Sequence, residues 1–185
     1  MIVIIEGFDN SGKSTLAKRL SEELNLEVVH PGGPPKNIAE VILRMNEQQS
    51  IFTFGTYVDF IYDRVTCISD QVYRQDKSYD TIFKYYISIL EQYKSVMLIY
   101  CRPSLEQMQN FDDHVMQAHD TAEIVEHAKQ KSSIIIAGYD KLIDEMYRSK
   151  MLINTFNFES EDAEKIYQRI KLTISQGLAC NHEKT

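Results

Sequence analysis

Cysteine is scarce in this 185-residue chain: Cys67, Cys101 and Cys180 are widely spaced, with no CxxC pair. That argues against a disulfide framework or a zinc site and points to a reducing, cytoplasmic setting. Glycine (7) and proline (4) are also few, which excludes a collagen-like or linker-rich chain. No apolar run approaches the roughly 20 residues of a membrane span; the first one stops at Glu6. No basic stretch precedes those first apolar residues and no small-residue cleavage site follows, so no signal peptide and no membrane partner are expected. Lysine and arginine (20) are outnumbered by aspartate and glutamate (27), for a formal charge of −7. Such a balance argues against a long nucleic acid as partner, while a locally positive pocket for a small anion remains compatible with it. What is present, 43% hydrophobic and 25% charged residues, suffices for one globular domain over residues 1–185 and excludes a disordered chain.

Short β-branched runs alternate with helical periodicity. Ile2–Glu6 reads as a strand buried on both faces. Lys13–Leu24 follows as a helix with Leu16, Leu20 and Leu24 on one stripe. Glu27–His30 is a second strand, ended by the breaker Pro31-Gly32-Gly33-Pro34-Pro35. A helix is predicted over Asn37–Glu47, a third strand over Tyr57–Tyr62, helices over Ser69–Gln75 and Tyr79–Tyr93, and a fourth strand over Val96–Tyr100. Arg102-Pro103 ends that strand, and Ser104 opens a lid-like helical segment across about 102–120. Ile134-Ile135-Ile136 resembles a strand, but the stripe Ile124, Ala128, Ile135, Tyr139, Leu142, Met146 makes Thr121–Arg148 a helix. Leu152–Phe158 is the fifth strand, and Ser160 caps a last helix to about Ser175. The expected architecture is a three-layer α/β/α sandwich of about five parallel strands, with ligands at their carboxyl ends.

Gly7-Phe8-Asp9-Asn10-Ser11-Gly12-Lys13-Ser14 matches G-x-x-x-x-G-K-S/T between the first strand and the first helix, the context this motif requires. Glycines let backbone N–H groups turn toward a phosphate, and the helix N-terminus adds its partial positive charge. Lys13 is placed for the β- and γ-phosphates of ATP, and the Ser14 hydroxyl for Mg²⁺. Gly7, Asn10, Ser11, Gly12 and Thr15 complete the expected phosphate-binding surface. The competing reading, a glycine turn that only joins strand to helix, explains the spacing less well. Nucleotide-binding relatives can be narrowed by what is missing: there is no Asn-Lys-x-Asp guanine reader, no Ser-Gly-Gly signature, and no glycine between Lys13 and Ser14.

Three segments together resemble the thymidylate kinase family. Glu6-Gly7-Phe8-Asp9 through Gly12-Lys13-Ser14-Thr15 is similar to the family's E-G-x-D-G-x-G-K-S-T, with Asn10 for the second glycine. Pro31-Gly32-Gly33 is similar to E-P-G-G-T, with His30 and Pro34 replacing the acid and the threonine. Asp63-Arg64 after a buried strand is similar to D-R-Y, with Val65 for the tyrosine. The resemblance is carried by the first half of the chain. It implies a P-loop kinase fold, ATP as donor with Mg²⁺, a deoxynucleoside monophosphate such as dTMP as acceptor, and a homodimer.

By the same resemblance Asp9 bonds the acceptor's sugar; the alternative is an Asx-turn within the loop. Arg64 grips the acceptor phosphate with its guanidinium fork, against a surface ion pair. Asp63 orients Mg²⁺ through water or relieves acceptor charge, against a helix N-cap. Arg44 is a further phosphate arginine, one turn later than the motif places it. Ser69 and Tyr73 are expected to face the acceptor base; Phe52, Phe54 and Tyr57 either stack on a base or belong to the core. His30 is expected to hydrogen-bond rather than to act as a base.

The departures concern charge. Neither the variable loop residues Phe8, Asp9, Asn10 and Ser11 nor the lid stretch Ser104–His119 carries a lysine or arginine. Arg102 at the lid hinge is the expected cation for the transferring phosphoryl, with Arg148 as substitute; the bland reading pairs Arg102 with Glu106. Lys13, Asp63 and Arg102 are thus the expected catalytic residues. Two other activities stay open: a related kinase for a modified pyrimidine nucleotide or for a nucleoside or polynucleotide hydroxyl, and a non-catalytic ATP-binding protein.

Overall fold

The computed structural model describes residues 1–32, 35–54, 59–74, 79–92, 96–109, 122–147 and 151–182. Five strands, β1 (Ile2–Gly7), β2 (Glu27–Val29), β3 (Phe60–Asp63), β4 (Val96–Cys101) and β5 (Leu152–Phe156), form one sheet in the order β2-β3-β1-β4-β5. Every neighbouring pair is parallel. The described helices are α1 (Lys13–Leu24), α2 (Ile38–Phe54), α3 (Thr66–Tyr73), α4 (Asp80–Leu90), α5 (Leu105–Gln109), α6 (Ala122–Met146) and α7 (Ala163–His182).

The central strands are buried along their whole length because helices cover both faces, which is why their sequences run continuously apolar rather than alternating. Strand alternation divides the core in two. Ile2, Ile4, Tyr62, Leu98 and Tyr100 face a cluster with Val41, Met45, Phe83, Tyr139 and Ile143 from α2, α4 and α6. Val3, Ile5, Ile61, Met97 and Ile99 face Leu16, Leu20, Tyr167 and Ile170 from α1 and α7. Ile135, Tyr139, Leu142 and Met146 are all buried, and α6 is helical through Ile134-Ile135-Ile136, as its stripe predicts.

Several boundaries move. Helix α2 runs seven residues past the expected Glu47 to Phe54, since Gln48, Gln49 and Ser50 are helix-compatible and Phe52 gains a core contact. Phe52 is buried, its ring 5.6 Å from that of Tyr62; it is core, not a base-stacking residue. Tyr57 and the side chain of Phe54 lie outside the described residues, as do Arg148 and most of the expected lid. Helix α3 starts at Thr66, not Ser69, so only Arg64 and Val65 separate β3 from it. Strand β5 ends at Phe156 because Asn157 turns the chain: its Oδ1 accepts the Glu159 N–H at 3.0 Å. Ser160 does not cap α7, which starts at Ala163: it forms the turn before the helix, its hydroxyl accepting the Asp162 N–H at 3.3 Å and its carbonyl the Ala163 N–H at 2.9 Å, and the helix continues past Ser175 to His182.

Candidate active site

The carboxyl edge of the sheet gathers the residues that carry chemistry, at the point where connections from β1 and β4 leave in opposite directions. Register sets Ile5 opposite Asp63 and Gly7 opposite Cys101. Gly7 has φ +144, and a Cβ there would lie 2.2 Å from the Cys101 carbonyl oxygen, so no side chain fits. Asn10, which stands where the family motif has its second glycine, has φ +60, a left-handed conformation that asparagine tolerates better than most residues. Gly12, at φ +80, is the N-cap of α1 and provides no side chain to cap it. The first turn of α1 holds no acidic residue, so its amides and partial positive charge stay available to an anion. Ser11 is buried in this loop, and its hydroxyl has no hydrogen-bond partner among the described residues.

Lys13 is not the exposed side chain that its role suggests. It is 5% exposed, and its ammonium donates to the Phe8 carbonyl across the loop. Burial, helped by the neighbouring Arg64 charge, lowers its pKa to about 8. Ser14 and Thr15 are exposed at the start of α1. The Ser14 hydroxyl donates to Asp63 Oδ2 at 3.2 Å, and His30 Nδ1 lies 3.3 Å from the same oxygen. Asp63 therefore joins the loop, β2 and β3, and does not cap α3, whose N-cap is Val65.

A second cluster lies beside the loop. Arg64 has φ +75, a conformation that costs a side-chain-bearing residue about 1 kcal/mol or more. Its guanidinium pairs with Asp9 and lies over the Tyr73 ring, 5.7 Å from the centroid. Tyr73 donates its hydroxyl proton to Asp9 Oδ2 and accepts the Asp9 N–H, both at 3.2 Å. Burial alone would raise the Asp9 pKa, but Arg64 and Lys13 reverse this and hold it below the ordinary carboxylate value. Asp9 thus bridges loop and cluster through Arg64 and Tyr73.

Three expected contacts are replaced by others. Ser69 does not stand free for a base: its hydroxyl reaches both Glu6 carboxylate oxygens, at 3.1 and 2.9 Å. Arg44 pairs with Glu40 one turn earlier in α2, and its charge acts on Asp70 of α3. Arg102 does not pair with Glu106; its Nε and Nη2 grip the two oxygens of Asp140 on α6, each at 2.8 Å. Tyr100 donates to the same Asp140 at 3.0 Å.

Three further polar groups belong to this edge: Glu6, whose place in the motif carries no expected contact, Tyr139, expected only as a core residue of α6, and Asp140. A carboxylate closing a strand of isoleucine and valine was the visible signal for Glu6. Nothing local marks Asp140, whose partners Tyr100 and Arg102 lie 40 and 38 residues away. Phe158 is also new: half-exposed, it lies where a Cβ on Gly12 would come within 2.9 Å of its ring.

Oxygen donors at Ser14 and Asp63 suit Mg²⁺, which takes few protein ligands and completes its shell with water and phosphate oxygens. Among the described residues no group of three or more His, Cys, Asp or Glu side chains is placed to hold a metal ion. Among the same residues no helix is long and apolar enough to cross a membrane.

No protein-family model matches the sequence, and no curated protein matches it. Solved structures do match its fold. The YorR protein from Bacillus subtilis, in complex with phosphorylated GDP, superposes with a TM-score of 0.62 at 17% identity, over 95% of this chain and 96% of that one. A thymidylate kinase from Candida albicans gives 0.61 at 14% identity, over 98% and 92%. A deoxyadenosine kinase from M. mycoides with the products dCMP and dCDP gives 0.55 at 15% identity, over 95% and 99%. The chain has the P-loop kinase fold, with helices on both sides of a five-stranded parallel sheet.

Proposed function

We propose that this protein is a phosphotransferase that moves the γ-phosphoryl of ATP to a deoxynucleoside monophosphate, a pyrimidine nucleotide such as dTMP. One observation carries the reading. Beside a phosphate loop with an uncapped helix end stands a second anion-binding group, Arg64, close enough for its charge to depress the pKa of Lys13. Two adjoining cations suit two phosphates, one on each substrate. The thymidylate kinase-like motifs support a pyrimidine acceptor, and thymidylate kinases are among the structures that share the fold.

In this reading the loop amides of Gly7 to Thr15 and Lys13 hold the β- and γ-phosphates. Lys13 reaches them by leaving the Phe8 carbonyl. Ser14 and Asp63 offer oxygens to Mg²⁺, which when bound neutralises the β- and γ-oxygens. Arg64 exchanges Asp9 for the acceptor phosphate and sets an acceptor oxygen in line with the γ-phosphorus. Asp9 and Tyr73 then face the acceptor's sugar. That oxygen is already anionic, so the chain needs no base, and positioning with charge neutralisation supplies the rate. Arg102 meets the developing charge by exchanging Asp140 for the phosphoryl group.

A second reading, transfer to a nucleoside hydroxyl, is favoured by the His30–Asp63 pair, in which Asp63 would take the hydroxyl proton. A coupled ADP-release assay with ATP, Mg²⁺ and a panel of monophosphates and nucleosides tests both. Turnover is expected with deoxypyrimidine monophosphates and not with nucleosides. Turnover with nucleosides alone selects the hydroxyl reading, and no ADP release from any acceptor leaves a non-catalytic ATP-binding protein.

A further inference from the structure

Glu6 is the most deeply buried carboxylate among the described residues, at 0% exposure, and among those residues no lysine or arginine forms an ion pair with it. A buried charge without a counter-ion persists only where hydrogen bonds replace its water. Glu6 has such donors on three elements. Its Oε1 accepts the Val65 N–H at 2.5 Å, the Ser69 hydroxyl reaches both oxygens, and Oε2 accepts the Tyr139 hydroxyl at 3.2 Å.

The Val65 bond matters most, because it fixes the peptide that follows Arg64. Arg64 is held left-handed between two consecutive amide bonds to β1. Its own N–H donates to the Ile5 carbonyl at 3.0 Å, and the next N–H donates to Glu6. The first bond needs only backbone and forms with any sequence; the second exists only because residue 6 has a carboxylate that turns toward α3. Carboxylate charge is also favourable there, at the N-terminus of α3.

The geometry points to Glu6 as a positioning residue for the acceptor site. Its carboxylate pins the Arg64–Val65 peptide, keeping Arg64 in its strained conformation with the guanidinium turned to Asp9 and Tyr73. This rests on the acceptor phosphate lying at Arg64, as proposed above. Glu6 acts on the acceptor site through Arg64, while its charge also acts on Lys13 of the loop. Withdrawing the carboxylate while keeping its charge is therefore expected to affect the acceptor and spare ATP, which is held by the loop and α1.

Two conservative variants separate reach from charge. Glu6→Gln keeps an oxygen within reach of the Val65 N–H and turns its amide toward hydroxyls that can accept. Glu6→Asp keeps the charge but withdraws it by one methylene. Steady-state kinetics and calorimetric binding of dTMP and of ATP, each titrated alone, give the readout for both variants and the parent. Glu6→Asp is expected to raise the acceptor KM and weaken dTMP binding by about 30-fold or more, the scale of an ångström-level misplacement. Its ATP affinity is expected to change less than about 3-fold, and Glu6→Gln is expected to stay within about 5-fold of the parent for both ligands. Equal losses for ATP and acceptor in Glu6→Asp, or a milder effect in Glu6→Asp than in Glu6→Gln, overturn the positioning role. If the parent binds ATP but no deoxynucleoside monophosphate, the proposed function fails, and the role of Glu6 with it.

Discussion

Replacing Lys13 with methionine separates what the phosphate lysine does for ligands from what it costs the fold. Methionine keeps the length and most of the apolar stem and removes the charge. The ammonium is buried, and burial lowers its pKa from the ordinary 10.5 to about 8. At about 1.4 kcal/mol per pH unit, holding that charge costs the nucleotide-free protein about 3 kcal/mol at pH 7. The Phe8 carbonyl is not orphaned by the change, because it also accepts the Ser11 N–H at 3.3 Å. Lys13→Met is therefore expected to be more stable than the parent by about 1–3 kcal/mol at pH 7, measured by urea unfolding without nucleotide. Below pH 8 the lysine is protonated in both folded and unfolded chains, and its contribution is constant. Between pH 8 and 10.5 the unfolded chain binds the extra proton, so the parent gains stability as pH rises and the gap to Lys13→Met closes. ATP with Mg²⁺ should stabilise the parent far more than the variant, and turnover in the variant should fall by at least about 100-fold. A variant no more stable than the parent at pH 7, or a gap that ignores pH, refutes the reasoning.

Arg64→Ala is expected to raise the acceptor KM by about 30-fold or more with little change for ATP, since its contact is made before and during transfer; kinetics with ATP saturating and the acceptor varied will show it. Arg102→Ala is expected to lower kcat by about 10-fold or more and leave both KM values in place, because its phosphoryl contact arises only during reaction. Its denaturation midpoint should barely move, since the Arg102–Asp140 pair is partly exposed and such pairs contribute roughly 1 kcal/mol or less. An unchanged kcat makes Arg102 a tether between β4 and α6 and nothing more.

Elements written in strong local signals were legible. The bounds of α1 match the sequence reading to the residue, since Gly12 and Asn25 punctuate both ends with left-handed backbone. The fourth strand was legible as a continuous apolar run, and the helix through Ile134 to Ile136, which locally resembles a strand, only from the apolar stripe on either side of it. Legibility failed where the deciding partner is distant. Helix α2 passes Glu47 because Phe52 packs on Tyr62 of β3, and α3 starts early because Gln48 Oε1 accepts the Thr66 N–H at 3.0 Å. In the site, the phosphate loop could be read because one contiguous stretch builds it. Asp9, Arg64 and Tyr73, each singled out in the sequence, come together beside the loop, whereas the Glu6–Tyr139 bond spans 133 residues and has no local signal.

The cations at the active edge share a property that bears on which acceptor they serve. Lys13 rests on the Phe8 carbonyl, Arg64 on Asp9 and Arg102 on Asp140. Carboxylates thus offset the two arginine charges, while the Phe8 carbonyl only hydrogen-bonds the Lys13 ammonium. Each substrate group then has to displace a carboxylate or carbonyl already in place. A phosphate monoester, carrying up to two negative charges and three oxygens, outcompetes a single carboxylate for a guanidinium fork. A neutral hydroxyl has no charge with which to displace Asp9 from Arg64. Under the proposed function the Arg64–Asp9 pair is therefore expected to favour a phosphorylated acceptor before any base is recognised.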